Sequence, residues 1–98
     1  MLGKPQLEAA DIERGLKAAG FIQQPKTGTS HVQWVYKKKN IYYRVTISAH
    51  LAPFSHDLIR HMSNQAGMSV NEFYELCSKE GSKKAKRGTL EWLSRIFD

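Results

Sequence analysis

The sequence has a single cysteine, few prolines and no long apolar run. Because Cys77 has no partner for an internal disulfide, we expect a reduced protein of the cytoplasm rather than a disulfide-stapled secreted one. No apolar stretch reaches membrane-spanning length, and the first residues (MLGKPQLEAADIE) lack the apolar segment of a signal peptide. The 98 residues, of which 41% are apolar and 24% charged, predict one globular domain with a modest core.

Acidic residues are missing from the centre of the chain, and the formal net charge is +6. None occurs between Glu13 and Asp57, a window whose cations are Arg14, Lys17, Lys26, Lys37, Lys38, Lys39 and Arg44. A second basic run follows near the end of the chain, at Lys79, Lys83, Lys84, Lys86 and Arg87. Two basic zones, of which the first contains no acid and the second only Glu80, favour binding to phosphate backbones; the alternative is a solvated surface that keeps the protein soluble.

Hydrophobic spacing predicts a helix and a short strand in the first quarter of the chain. Apolar residues recur at steps of three and four over residues 7–19, which is typical of a helix buried on one side. Gly20 follows as a helix stop, because glycine adopts the left-handed conformation at low cost. A short extended run then begins at Phe21 and ends at Pro25.

The middle of the chain predicts an antiparallel hairpin. Residues 31–37 and 41–48 both alternate in side-chain character, and the polar break Lys38-Lys39-Asn40 separates them. One face carries the apolar positions, among which we expect Trp34 and Tyr43 to lie in the core. The polar face is predicted to carry His31, Gln33, Lys37, Arg44 and Thr46.

Helix signals return in the second half. Ser55 is predicted to cap one helix, and Ser69 with Glu72 forms the Ser-x-x-Glu capping box of another. Residues 78–87 are interpreted as a flexible basic linker, and Thr89 is predicted to cap a last amphipathic helix. We therefore divide the chain into a domain of residues 1–77 and an extension of residues 78–98.

These elements predict an α+β fold with the order α-β-β-β-α and a C-terminal helical extension. A three-stranded antiparallel sheet packed on helices is an economical way to bury the apolar stripes. Double-stranded-RNA-binding domains have the same arrangement. That likeness concerns the fold and carries no function by itself.

Four motifs in this order resemble the HicA family of messenger-RNA-cleaving toxins. A helix that ends in a Lys-Ala-Gly-like stop corresponds to residues 16–21 (LKAAGF), and a Gly-Ser-His element to residues 28–31 (GTSH). A Val-Thr-Val-like strand leading to a histidine corresponds to residues 44–50 (RVTISAH). The most specific stretch is residues 65–73 (QAGMSVNEF), which is similar to Gln-Ala-Gly-Leu-Ser-x-x-Glu-Phe. The likeness covers about residues 11–76.

The resemblance implies translation-independent cleavage of messenger RNA, a partner antitoxin of the HicB type that blocks the site, and a functional histidine at His31. Three departures from the family pattern stand in the sequence. Thr29 is inserted between Gly28 and Ser30, Pro53-Phe54-Ser55-His56 replaces a Gly-rich helix start, and about twenty C-terminal residues exceed the usual length.

The chemistry of imidazole fits such a role for His31. A base that titrates near neutral pH can take the proton from a ribose 2′-OH, which then attacks the adjacent phosphate without a metal or cofactor. His50 is the candidate acid, and Lys26 and Arg44 are candidates to stabilise charge on the phosphate. Ordinary surface positions are the alternative for each of them. His56 and His61 lie on different sides of a helix, which disfavours a zinc pair.

The remaining candidates are RNA contacts. Tyr42 is predicted to stack on a base, and the RNA-binding cations are Lys37, Lys38, Lys39, Lys83, Lys84, Lys86 and Arg87. The spacing of Cys77 indicates a core residue rather than a nucleophile. Two functions follow as hypotheses: an endoribonuclease toxin that is opposed by an antitoxin, or a non-catalytic module, such as a phage-type protein, that binds RNA or protein on the same sheet.

Overall fold

The described part of the chain folds into a three-stranded antiparallel sheet and five α-helices, which is a mixed α+β architecture. The computed structural model describes residues 5–26, 28 and 30–97, and only the backbone of Phe97. The strands are β1 (Ile22–Gln23), β2 (His31–Lys38) and β3 (Ile41–Ser48). The helices are α1 (Ala9–Ala19), α2 (His56–Gln65), α3 (Val70–Cys77), α4 (Lys79–Arg87) and α5 (Glu91–Phe97), and a 3-10 turn, Ala49–Leu51, follows β3.

The predicted hairpin is confirmed, with its register set by a two-residue turn. Lys38 pairs with Ile41, so Lys39 and Asn40 form the turn, and His31 pairs with Ser48 at the other end. The sheet order is β1-β2-β3, which makes β3 an edge strand. Lys39 has a φ of 45°, a left-handed conformation that is uncommon outside glycine and asparagine.

Side chains alternate along the hairpin as the sequence predicts. Val32, Trp34, Val45 and Ile47 are buried on one face of the sheet, and Tyr43 is partly buried beside them. The helices contribute the other half of the same core, which includes Ile12, Leu16, Ile59, Phe73 and Leu76. We call the opposite face of the sheet the outer face. It carries the cross-strand pairs His31–Ser48, Gln33–Thr46, Val35–Arg44 and Lys37–Tyr42.

Helix α2 lies along the open edge of β3. Its start is the predicted one, because the Ser55 hydroxyl accepts a hydrogen bond from the Leu58 amide at 3.2 Å. Near its other end, the Gln65 side chain accepts a hydrogen bond from the backbone N–H of Thr46 at 3.2 Å. An unpaired amide at the edge of the sheet is thereby satisfied, and α2 is held beside the outer face.

Residues 78–87 are not a flexible linker; that prediction was wrong. Residues Lys79–Arg87 form helix α4, which packs against α1 and α3. The corner before it is Ser78, whose hydroxyl donates to the Glu75 carbonyl at 2.6 Å and accepts from the Gly81 amide at 3.0 Å. The buried Ser82 hydroxyl adds a bond to the Leu76 carbonyl at 2.7 Å. Side-chain hydrogen bonds to α3 thus stabilise α4, which has the poor helix formers Gly81 and Ser82 near its start.

Helix α5 folds back onto α3. The Trp92 indole N–H donates to the Glu75 carboxylate at 2.9 Å, and Leu90 is buried in the core. Thr89 does not cap this helix, contrary to prediction, because its hydroxyl donates to the Lys84 carbonyl at the end of α4. Within residues 5–26, 28 and 30–97, every helix falls short of the length and apolar character that crossing a bilayer requires.

The close approach of α4 to α3 generates a stability prediction. A Cβ atom built on Gly81 lies 1.7 Å from the Glu75 carbonyl oxygen, so α4 cannot keep its place with a side chain there. Alanine normally stabilises a helix interior relative to glycine. We nevertheless expect Gly81→Ala to lower the free energy of unfolding, measured in urea, by about 2 kcal/mol, as in overpacked cores.

Gly88→Ala is the matched control. Gly88 has a φ of 77° and no heavy atom within 4 Å of an added Cβ, so it tests backbone strain without a clash. We expect a loss of about 1 kcal/mol there. A Gly81→Ala variant as stable as the parent would contradict the observed packing of α4.

Candidate active site

His31 lies at the start of β2 on the outer face, at the end of the sheet where the hairpin strands part. It is exposed to solvent. Its cross-strand partner Ser48 places a hydroxyl 2.5 Å from His31 Nδ1, a short hydrogen bond that orients the ring. Thr29, the residue inserted ahead of this histidine relative to the family pattern, lies outside the described residues.

His50 reaches the same place from a different element. It stands in the 3-10 turn Ala49–Leu51, directly after β3. Its Nδ1 is 3.2 Å from the Ser30 hydroxyl, and its ring lies edge-on to that of His31, with centroids 6.0 Å apart at 81°. The structure therefore brings together the two imidazoles that the sequence proposed as base and acid. In each ring, Nδ1 is hydrogen-bonded to a serine hydroxyl.

A pocket of about 190 Å³ opens beside His31, between the outer face and α2. His61 is in its lining, although sequence reasoning gave it no role beyond excluding a zinc pair. Its full lining is His31, Thr46, Ser48, Leu51, Phe54, Leu58, His61, Met62 and Gln65. His61 and Gln65 were missed because only the three-dimensional arrangement places α2 against the edge of β3; no spacing in the sequence signals it. Ser48 was missed although the predicted alternation of β3 puts it on the face of His31.

Of the two predicted phosphate-stabilising cations, Arg44 lies away from the histidines. Arg44 is on the outer face but pairs with Val35, four residues along β3 from Ser48. At a rise of about 3.4 Å per residue, this separates it from His31 by about 14 Å. Lys26 is exposed on the loop before β2, and no described hydrogen bond or ion pair joins it to either imidazole. Arginine and lysine are likewise missing from the described pocket lining.

The hairpin turn forms a basic tip at the far end of the outer face. Lys37, Lys38 and Lys39 are all exposed there. Tyr42, directly across from Lys37, is 58% exposed and is one of the few large apolar side chains left on the described surface. An aromatic ring among unpaired lysines is suited to stack on a base while the cations contact phosphate.

The second group of predicted RNA-binding cations lies in the helical layer. Lys83, Lys84, Lys86 and Arg87 are all exposed on α4. Only Lys83 and Lys86 face α1, across a groove, whereas Lys84 faces α5. The basic run is therefore one segment in sequence but two surfaces in space.

Cys77 is a core residue, as predicted. It is fully buried, and its Sγ lies 3.0 Å from where a Gly15 Cβ would stand. Burial raises the pKa of the Cys77 thiol far above its ordinary value; the charge of Arg14 lowers that pKa by less, and Asp11 adds to the rise. The thiol thus stays protonated and is no nucleophile. Among the described residues, no group of three His, Cys, Asp or Glu side chains is placed to hold a metal ion.

Comparisons with known proteins return no match: no protein-family model matches the sequence, and neither a curated protein nor a solved structure does. The resemblance to HicA toxins therefore stays a prediction that rests on the four motifs.

The buried thiol generates a second prediction. Because the thiolate is the reactive form and burial raises the pKa of Cys77, the folded protein should not react with Ellman's reagent at pH 8. In denaturant, the pKa returns to its ordinary value and one thiol per chain should react rapidly. Rapid reaction of the folded protein would contradict the observed burial, while a Gly15→Ala variant that crowds Cys77 should react faster than the parent.

Proposed function

We propose that this chain is a metal-independent endoribonuclease of the HicA type, on a fold like that of double-stranded-RNA-binding domains, with His31 and His50 as its acid–base pair. The observation that carries the proposal is the edge-on arrangement of these two imidazoles, with centroids 6.0 Å apart, beside a pocket that His31 lines. They come from different elements, and each is held at Nδ1 by a serine.

His31 is the general base in this mechanism. When Nδ1–H donates to the Ser48 hydroxyl, the ring carries its basic lone pair on Nε2. Nε2 takes the proton of a ribose 2′-OH, and the 2′ oxygen attacks the adjacent phosphorus. The 5′ oxygen of the next nucleotide leaves, so one P–O bond forms and one breaks, with a 2′,3′-cyclic phosphate as product.

His50 is the general acid. Its imidazolium protonates the departing 5′ oxygen, so that the leaving group is a neutral hydroxyl rather than an alkoxide. Arginine and lysine are missing from the described pocket lining, so histidine side chains are the groups there that can carry a positive charge. We assign stabilisation of the phosphorane charge to the imidazolium form of His61, on the α2 side of the pocket.

The substrate we propose is single-stranded messenger RNA in the cytoplasm, laid along the outer face. From His31 to Lys37 the strand rises about 20 Å, which corresponds to about six stacked nucleotides. Lys37, Lys38, Lys39 and Arg44 contact phosphates along this path, and Tyr42 stacks on a base. A HicB-type antitoxin is the proposed protein partner, and it inhibits by covering the pocket.

A non-catalytic module that binds RNA or protein is the second candidate. The separation of Arg44 from His31 favours it, because a ribonuclease site commonly holds the scissile phosphate with a nearby cation. The same outer face would then bind without cutting. Cleavage assays separate the two candidates.

The prediction for the nuclease concerns three histidine variants. His31→Ala and His50→Ala should each lower the cleavage rate of single-stranded RNA by about 10²–10⁴-fold, the range for a lost acid–base catalyst. His56→Ala is the matched control, because His56 is exposed on α2, stacks on Tyr74 and is not in the pocket lining. It should cleave like the parent. Induced expression of the parent, but not of His31→Ala, should arrest growth.

The pH profile adds an independent check. The base must be neutral and the acid protonated, so the rate should rise with pH, pass a maximum and fall. His31→Ala should remove the rise of the rate at low pH, and His50→Ala should remove its fall at high pH. If folded parent protein binds RNA and leaves it intact, the binding module is the correct candidate; equal losses from all three variants would contradict the assigned roles.

A further inference from the structure

A second basic surface lies between α1 and α4, away from the histidines. It is a groove of about 570 Å³. The groove is lined by Arg14, Lys17, Ala18, Lys79, Ser82, Lys83 and Lys86. We call it the α1/α4 groove.

Its charge is of one sign. Five of the lining residues are cations and none is acidic. Arg14 is committed to the fold, since its guanidinium pairs with Asp11 at 3.1 Å and donates to the Cys77 carbonyl at 2.6 Å. The four lysines take part in no ion pair within the described residues. Their like charges repel one another, so an anion between them relieves a real cost.

The α4 lysines form a line. Lys79, Lys83 and Lys86 are spaced four and three residues apart, which places them on one side of the helix. They span about 10 Å along its axis at 1.5 Å per residue. Lys17 faces them from the last turn of α1. A row of cations facing another cation matches an extended chain of negative charges better than a single small anion.

The lining also indicates which polyanion fits. Protein interfaces are built on aromatic and aliphatic anchors and are poor in lysine, whereas Ala18 is the sole apolar side chain in this lining. Basic segments that bind membranes pair their cations with Trp, Phe or Leu, which this lining lacks as well. Flexible lysines without anchors are typical of contacts to a nucleic-acid backbone, where they act as point charges.

We propose that the α1/α4 groove binds the phosphodiester backbone of RNA, as a second contact surface separate from the outer face. The choice of RNA as ligand rests on the proposed function; the groove itself rests on its own geometry. A strand held there does not meet the imidazoles, so the groove adds affinity independent of sequence and contributes nothing to the chemistry.

The test compares two double variants in a His31→Ala background, where the labelled single-stranded RNA stays intact. Lys83→Gln/Lys86→Gln removes two groove cations. Arg60→Gln/Arg95→Gln is the matched control, because it removes the same charge at exposed positions that are neither in the groove lining nor among the predicted RNA contacts. Binding is followed by fluorescence anisotropy over a series of salt concentrations, and circular dichroism checks that both variants fold.

We expect the groove variant to weaken binding about tenfold and to reduce the salt slope by about 1.4, or 0.7 for each lost phosphate contact. The control variant should change the affinity and the salt slope by much less. Equal losses from the two pairs would show that net charge decides binding, and an unchanged groove variant would also overturn the proposal. Binding to a poly-glutamate peptide and to phosphatidylserine vesicles is measured in parallel. If the groove variant loses binding to one of these ligands and not to RNA, the proposal is also overturned.

These outcomes are separable from those of the proposed nuclease. Groove-dependent RNA binding by a parent chain that does not cleave would refute the nuclease and leave the groove assigned. Cleavage that depends on His31, together with RNA binding that the Lys83→Gln/Lys86→Gln variant does not change, would support the nuclease and refute the groove.

Discussion

The pairing of β2 with β3 determines where every side chain of the sheet points. Because side chains alternate along a strand, the register that joins His31 to Ser48 also buries Val32 and Ile47 beside them. A slip of one residue would bury the histidine and expose the core. The apolar side of the hairpin thus fixes the polar side, and the candidate site is a consequence of the same packing that stabilises the domain.

The hairpin was predictable from the sequence because alternation is a local signal, and so were the caps at Ser55 and Ser69. Helix α4 was not. Its lysines favour a helix, but Gly81 and Ser82 near its start do not, and Ala85 alone gives it no apolar stripe. Bonds from Ser78 and Ser82 to carbonyls of α3 hold it. Those contacts exist only after α3 has formed, so a pattern read along the chain took the segment for a linker.

The candidate site was likewise predictable from the sequence only in part. Its two central histidines follow from residue chemistry and the motif order, because both flank the predicted hairpin. The α2 side of the pocket, with His61, depends on a tertiary contact between Gln65 and Thr46 that no local pattern encodes. Arg44 was predicted on the correct face of the sheet, but the rise along β3 separates it from His31 by about 14 Å.

The central claim is that two imidazoles cut RNA through its own 2′-OH, and the ends of the products test it most directly. Mass spectrometry of fragments from a short single-stranded RNA should show 2′,3′-cyclic phosphate and 5′-hydroxyl ends in the presence of a chelator. An oligonucleotide with a deoxyribose at the cleaved position should stay intact there. Fragments with 5′-phosphate and 3′-hydroxyl ends, or cleavage of the deoxy position, would require attack by water and would contradict the roles of His31 and His50.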